Sequence, residues 1–126
     1  VFPLRIKLER TAKMLPEMVR IDEGGVYKYV IVLAHKDEEQ SYHLVRGSGL
    51  AEYHDDIFQV ERKQLEPYGY HCECVGGGRI RFDAGQKEVH IYGYSKGYGR
   101  ANHSHAAEEI QKKYPDFKVT WSNDGY

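Results

Sequence analysis

Three short stretches hold residue types that can do chemistry. His54 stands in AEYHDDIF (51–58), which the helical spacing of Leu50, Tyr53, Ile57 and Val60 predicts to be a helix. The positive end of a helix disfavours imidazolium, so a histidine in its first turns stays neutral and available as a base. A histidine that merely packs or caps explains the same position, and for a lone histidine that is the commoner case. In VGGGR (75–79), three glycines let amide N–H groups converge on one anion, and Arg79 directly after can offer paired donors to it. A bulge or bend in a hairpin explains this run equally well. In YGYSKGYG (92–99), Ser95, Lys96 and Gly97 fall at a strand end, where a hydroxyl and several amides can meet an oxyanion. An ordinary strand-to-helix loop has the same composition.

Two cations need separate weighing. Lys28 interrupts an otherwise apolar strand, where a charge is costly unless paired; it reaches either a ligand phosphate or solvent. Arg46, at the end of a short strand, has the same two readings. His103 and His105 near a helix start read as surface residues. Zinc-type ligands exist in His71, Cys72, Cys74 and His90, but Cys-x-Cys on a strand lacks the two-residue spacing of structural sites. No HExxH or paired carboxylate set supports metal hydrolysis, so no metal is expected.

The elements that must position these groups follow from patterning. Val26–His35 is β-branched, aromatic and apolar on both alternating sets, which predicts a central strand covered on both faces. Tyr42–Arg46 reads as a second strand. Ser48 is the expected N-cap of the helix carrying His54, with Pro67 and Gly69 closing it. His71–Val75 and Arg79–Phe82 read as strands on either side of the glycines, and Lys87–Tyr94 pairs back across a turn. Ala106, Ala107, Ile110 and Tyr114 mark a second helix ended by Pro115, and Phe117, Val119 and Trp121 alternate as a last strand. The expected architecture is α/β (α+β): one domain with a mixed sheet of about six strands and two main helices packed against it.

Bulk properties bound the function. The chain has 126 residues, enough for one core and one domain. With 18 basic and 19 acidic residues the net charge is -1, which excludes a global positive field for nucleic acid or an acidic membrane. Any anion site must be local. No apolar run approaches the roughly 20 residues that span a bilayer. Two cysteines one residue apart are a poor disulfide framework, so a reducing, cytoplasmic setting is expected; a monomer is the separate expectation for its assembly. Residues 1–20 read as a loosely attached N-terminal extension, with Arg5, Lys7, Arg10 and Lys13 among apolar residues, and 21–126 as the domain.

Several of these pieces, in order, resemble one family. GGVYKYV (24–30), LVRG (44–47), AEYHDDIF (51–58), CECVGGGRI (72–80), VHIYGYSKGYG (89–99), KYPDF (113–117) and VTWSNDGY (119–126) are similar to the janus/ocnus group of protein histidine phosphatases. The resemblance runs from Gly24 to Tyr126 and implies a phosphatase without metal or other cofactor, acting on N-phosphorylated side chains of proteins, chiefly phosphohistidine, with phospholysine as a further substrate left open. Within it, His54 matches the catalytic histidine, as general base or as nucleophile. Lys28, Arg79, Ser95 and Gly97 match phosphate-binding positions, partly through backbone amides of the Ser95-Lys96-Gly97 turn. Arg46 matches a residue whose loss impairs activity. Gly97 is a departure from relatives with alanine there, which keeps the backbone donor. A different class of function also fits: a catalytically idle phosphoprotein-binding module using the same pocket.

Overall fold

The computed structural model describes residues 15–37 and 40–126. Its elements are β1 (Val19–Arg20), β2 (Gly25–His35), β3 (Tyr42–Ser48), α1 (His54–Leu65), β4 (His71–Asp83), β5 (Glu88–Tyr92), α2 (His103–Lys113) and β6 (Lys118–Trp121), with a short 3-10 turn at Glu66–Tyr68. The strands form one mixed sheet in the order β1-β3-β2-β4-β5-β6. The two outer pairs, β1 with β3 and β5 with β6, are parallel, and the inner pairs are antiparallel. This is the α+β fold expected from the patterning.

The double-sided apolar pattern of β2 has a direct structural cause. Tyr27, Tyr29 and Ile31 point into one core with Ile80, Ile91, Ala106 and Ile110, under α2. Val30, Val32 and Ala34 point into a second core with Leu44, Ile57, Phe58 and Leu65, under α1. The helices therefore cover opposite faces, and period-two alternation sends each side chain of β2 to one helix or the other. Each fully buried aliphatic side chain here stabilises the fold by about 1.5–3 kcal/mol.

Three sequence boundaries differ from expectation. The sheet begins inside the segment assigned to the extension, because Val19 and Arg20 pair with Val45 and Arg46 of β3. Val45 N–H also bonds the Met18 carbonyl at 2.9 Å. The rest of the proposed extension, residues 1–14, lies outside the described residues. Ser48 does not cap α1: it ends β3, and its Oγ accepts the Leu50 N–H at 3.1 Å. The glycines do not interrupt β4, which runs through them, with three steps from Gly77 to Cys74 opposite two from Val30 to Val32. That mismatch of one residue is a β-bulge. Gly76, at φ 137°, occupies it, where a Cβ would lie 2.7 Å from the Ala101 backbone.

Candidate active site

Helix α1 starts at His54 for local reasons. Tyr53 is extended, with φ -124° and ψ 153°, and the Asp56 carboxylate accepts the Tyr53 N–H at 2.8 Å. Asp55 and Asp56 in the first turn also favour the positive helix end. His54 is thereby held at the first helical position, 7% exposed, with its ring against the sheet. Gly77 makes room for it: a Cβ there would sit 2.7 Å from His54 Cδ2.

The ring is oriented by one hydrogen bond. His54 Nε2 donates to the Gly78 carbonyl at 2.9 Å, which makes Nε2 the protonated nitrogen and leaves the lone pair on Nδ1. Burial lowers the pKa of His54 below its ordinary value. The Gly78 bond opposes that shift, and the nearby charges of Lys28 and Arg79 add to it. A neutral imidazole with a free Nδ1 is the form that accepts a proton.

Around it lies a cavity of about 560 Å3, lined by Lys28, Tyr53, His54, Ser95, Lys96 and Gly97, with Asp55, Asp56, Tyr98 and Tyr126 completing the wall. Lys28 and Arg79 are register partners on neighbouring strands, so both point to the α1 side of the sheet. The Lys28 ammonium donates to the Glu52 carbonyl in the loop before α1. The Arg79 guanidinium stands over the Tyr126 ring, 5.4 Å from its centroid, and Lys96 Nζ is 5.8 Å from the same ring. Lys28 and Lys96 therefore share the cavity with His54, and Arg79, outside the lining itself, stands over Tyr126, which is part of it.

The 95–99 segment closes on itself. Gly99 N–H donates to the Ser95 carbonyl at 2.8 Å, Ser95 N–H returns to the Gly99 carbonyl at 3.1 Å, and Ser95 Oγ accepts the Tyr98 N–H at 3.2 Å. Among the described residues, the amides of Lys96 and Gly97 have no protein acceptor. They are donors placed on the cavity wall, as an oxyanion site needs. A methyl at Gly97 would meet no atom within 4 Å, so alanine fits the position. The triple glycine has a different job. Gly77 N–H bonds Gly99 and its carbonyl receives Ala101 N–H, so this stretch is strand and not an anion nest.

Two further sequence readings change. The Arg46 guanidinium does not join the His54 cavity. It is 3% exposed, donates to the Glu17 carbonyl at 2.6 Å and the Val45 carbonyl at 3.0 Å, and pairs with Glu61 of α1 at 2.9 Å. Glu61 is itself buried and also receives Arg20 at 3.1 Å. Arg46 thus ties β3 to α1 and to the segment before β1. His103 is not on the surface: it is 1% exposed, donates from Nε2 to the Gly93 carbonyl at 2.7 Å and accepts from Tyr29 at Nδ1. His105 is half-buried, its ring 5.6 Å from that of His43.

Sequence reasoning missed Tyr53, Asp55, Tyr98 and Tyr126 as parts of the wall. Tyr98 donates to Asp55, and that bond lowers the carboxyl pKa. Adjacency to His54 and to Ser95 was the available signal for these two. Tyr126 had none, because its place depends on the chain returning past β4, with Gly93 N–H bonded to the Asp124 carbonyl at 3.3 Å.

Comparison with known proteins accords with this geometry. Residues 13–118 match the Janus/Ocnus family. The chain is 46% identical to the 14 kDa phosphohistidine phosphatase of Sus scrofa over 114 residues, covering 86% of this chain and 90% of that protein. It is 44% identical to the human protein of the same name, over 90% of this chain and 94% of that one. The sex-regulated protein janus-A of Drosophila melanogaster is 35% identical over 86% of this chain and 81% of its own length. No helix among the described residues is long and apolar enough to cross a membrane.

Proposed function

The chain belongs to the Janus/Ocnus family, and from that premise we propose that it is a protein phosphohistidine phosphatase with His54 as its general base. What carries the reading is the bond from His54 Nε2 to Gly78, because it leaves Nδ1 as a base in a cavity walled by cations and unpartnered amides. A module that only bound phosphate would need the cations and amides, but not a buried, tautomer-locked imidazole beside them. That favours an enzyme over the idle-module reading, which the janus-A relatives keep in view.

In the proposed reaction, Lys28, Arg79 and the Lys96 and Gly97 amides hold the phosphoryl oxygens. His54 Nδ1 takes a proton from an in-line water, the water oxygen forms the new P–O bond, and the P–N bond breaks. The electron pair goes to the phosphorus-bound ring nitrogen of the substrate histidine, and the ring, already protonated on its other nitrogen, leaves as a neutral imidazole. A phosphohistidine ring protonated on the nitrogen remote from phosphorus is already a good leaving group, so positioning and charge stabilisation do most of the work. The cationic clamp takes the role a divalent metal would otherwise fill, and turnover is expected to persist in EDTA.

The test is His54→Ala, assayed on a phosphohistidine peptide with phosphate binding measured alongside. Loss of at least about 10²–10⁴ in rate with phosphate binding retained is expected for a base held apart from the clamp. Wild-type turnover by the folded variant would remove His54 from the reaction. A rapid-quench search for phosphate on His54 separates base from nucleophile: a phosphorylated His54 would make it the nucleophile.

A further inference from the structure

A second cavity, of about 420 Å3, runs along the same helix. Its α1 wall is Asp56, Ile57, Val60, Glu61 and Gln64, one helical face, and Leu50, Asp22 and Arg20 stand among the residues across from it. Leu50 is 98% exposed and Val60 is 58% exposed. Large aliphatic side chains standing bare in a concave wall gain from being covered. The groove adjoins the catalytic cavity, with Asp56 lining both.

Charge narrows what could lie there. The buried Glu61 carboxylate is matched by Arg46 and Arg20. Asp22 and Asp56 accept only backbone N–H groups, from Gly49 at 2.6 Å and Tyr53 at 2.8 Å, and neither has an ion-pair partner among the described residues. The lining arginines, Arg20 and Arg46, are thus paired with Glu17 and Glu61, which leaves the groove two carboxylates without an ion pair beside aliphatic Leu50 and Val60, next to a cavity rich in cations. Its reach also suits a peptide. Val60 follows His54 by six residues of helix, about 9 Å along the axis, which roughly three extended residues span.

We propose that this groove docks the substrate polypeptide flanking the phosphorylated histidine, taking an aliphatic side chain against Leu50 and Val60 and a cationic one against Asp22. The inference rests on the phosphatase reading and adds a determinant of substrate choice outside the catalytic machinery. Phosphate chemistry stays in the His54 cavity; the groove acts on polypeptide substrates alone.

The experiment compares two substrates on the full chain. One is inorganic phosphoramidate, which fills only the catalytic cavity. The other is a synthetic peptide phosphorylated on a central histidine, with a leucine three residues away and a lysine beyond it. Leu50→Ser and Val60→Gln change exposed side chains and are expected to leave phosphoramidate turnover and the thermal midpoint unchanged. Each is expected to raise the peptide KM about tenfold at unchanged kcat, the effect of uncovering one aliphatic side chain. Replacing the peptide's leucine by glycine is expected to erase the difference between wild type and variants. A peptide KM equal in wild type and both variants, with turnover intact, overturns the groove alone. Absence of turnover of both substrates by the unsubstituted chain overturns the phosphatase reading and the groove with it. If removing residues 1–14 lowers the peptide KM only while Leu50 and Val60 are present, the occupant is the chain's own N-terminal segment, and the proposal is overturned.

Discussion

Gly77 and Gly97 both touch the candidate site, yet they answer to different constraints. A Cβ on Gly77 would meet His54 Cδ2 at 2.7 Å, the Tyr29 carbonyl at 2.8 Å and Ser95 Cβ at 3.1 Å, with backbone on one side and the imidazole on the other. The imidazole is the softer neighbour, so Gly77→Ala is expected to push His54 off the Gly78 carbonyl. Stability should fall by about 1–3 kcal/mol, the usual cost of overpacking, and turnover by about 10²-fold, the usual cost of a misplaced catalytic group. Gly97→Ala, with open space around it, is expected to keep turnover within twofold because the amide survives. Assaying both variants for turnover and thermal midpoint checks the pair. Equal behaviour of the two would mean that His54 does not depend on the Gly77 notch.

At the scale of elements, the placement of His54 depends on how α1 is moored. The Arg46–Glu61 pair joins β3 to the middle of α1, and both side chains are buried. Removing one member leaves an uncompensated charge, whereas replacing both with apolar groups is often neutral or better. Arg46→Ala is therefore expected to cost about 3–5 kcal/mol, and to lower kcat through movement of α1. Arg46→Met combined with Glu61→Met should recover most of the stability and turnover. Protection by inorganic phosphate decides the role of Arg46. The double variant is expected to retain protection, because the Arg46 donors go to Glu17, Val45 and Glu61. Loss of protection in a stable double variant would return Arg46 to the phosphate site.

For the whole molecule, acid is the natural stress. Burial holds His54 and His103 below the ordinary histidine value of 6.5 in the native state. In the unfolded chain both titrate near that ordinary value, so below it the unfolded state takes up protons that the native state refuses. The stability these groups contribute is complete above 6.5 and is lost as pH falls through the depressed native values. Glu17 and Asp55, whose pKa values are also lowered, by Lys113 and Tyr98 first, extend the loss further into acid. The thermal midpoint is expected to fall between pH 7 and pH 5, and to fall less in a His54→Gln, His103→Gln double variant. Calorimetry across that range checks it; a midpoint flat from pH 7 to 5 in the wild type would contradict the buried, neutral state of both histidines.

The sequence by itself determined what local pattern can encode. The double-sided strand β2 was legible because both alternating sets are apolar, and α2 because its apolar spacing ends at a proline. Lys28, His54, Ser95, Lys96 and Gly97 were legible as candidates from residue type and from the family resemblance, and they line one cavity. Tertiary structure alone decided the rest. Ser48 does not cap α1 because pairing with β2 carries β3 through it, opposite Lys28. The glycine run is a bulged strand because an imidazole, a tyrosine and a second backbone press against it from both faces. His103 is buried because Tyr29 and Gly93, distant in sequence, supply its hydrogen-bond partners. Arg46 is a strut because Glu61 comes from another element. In each case the deciding neighbour is far along the chain. Periodicity records which face a residue turns inward, but carries no information about what meets it there.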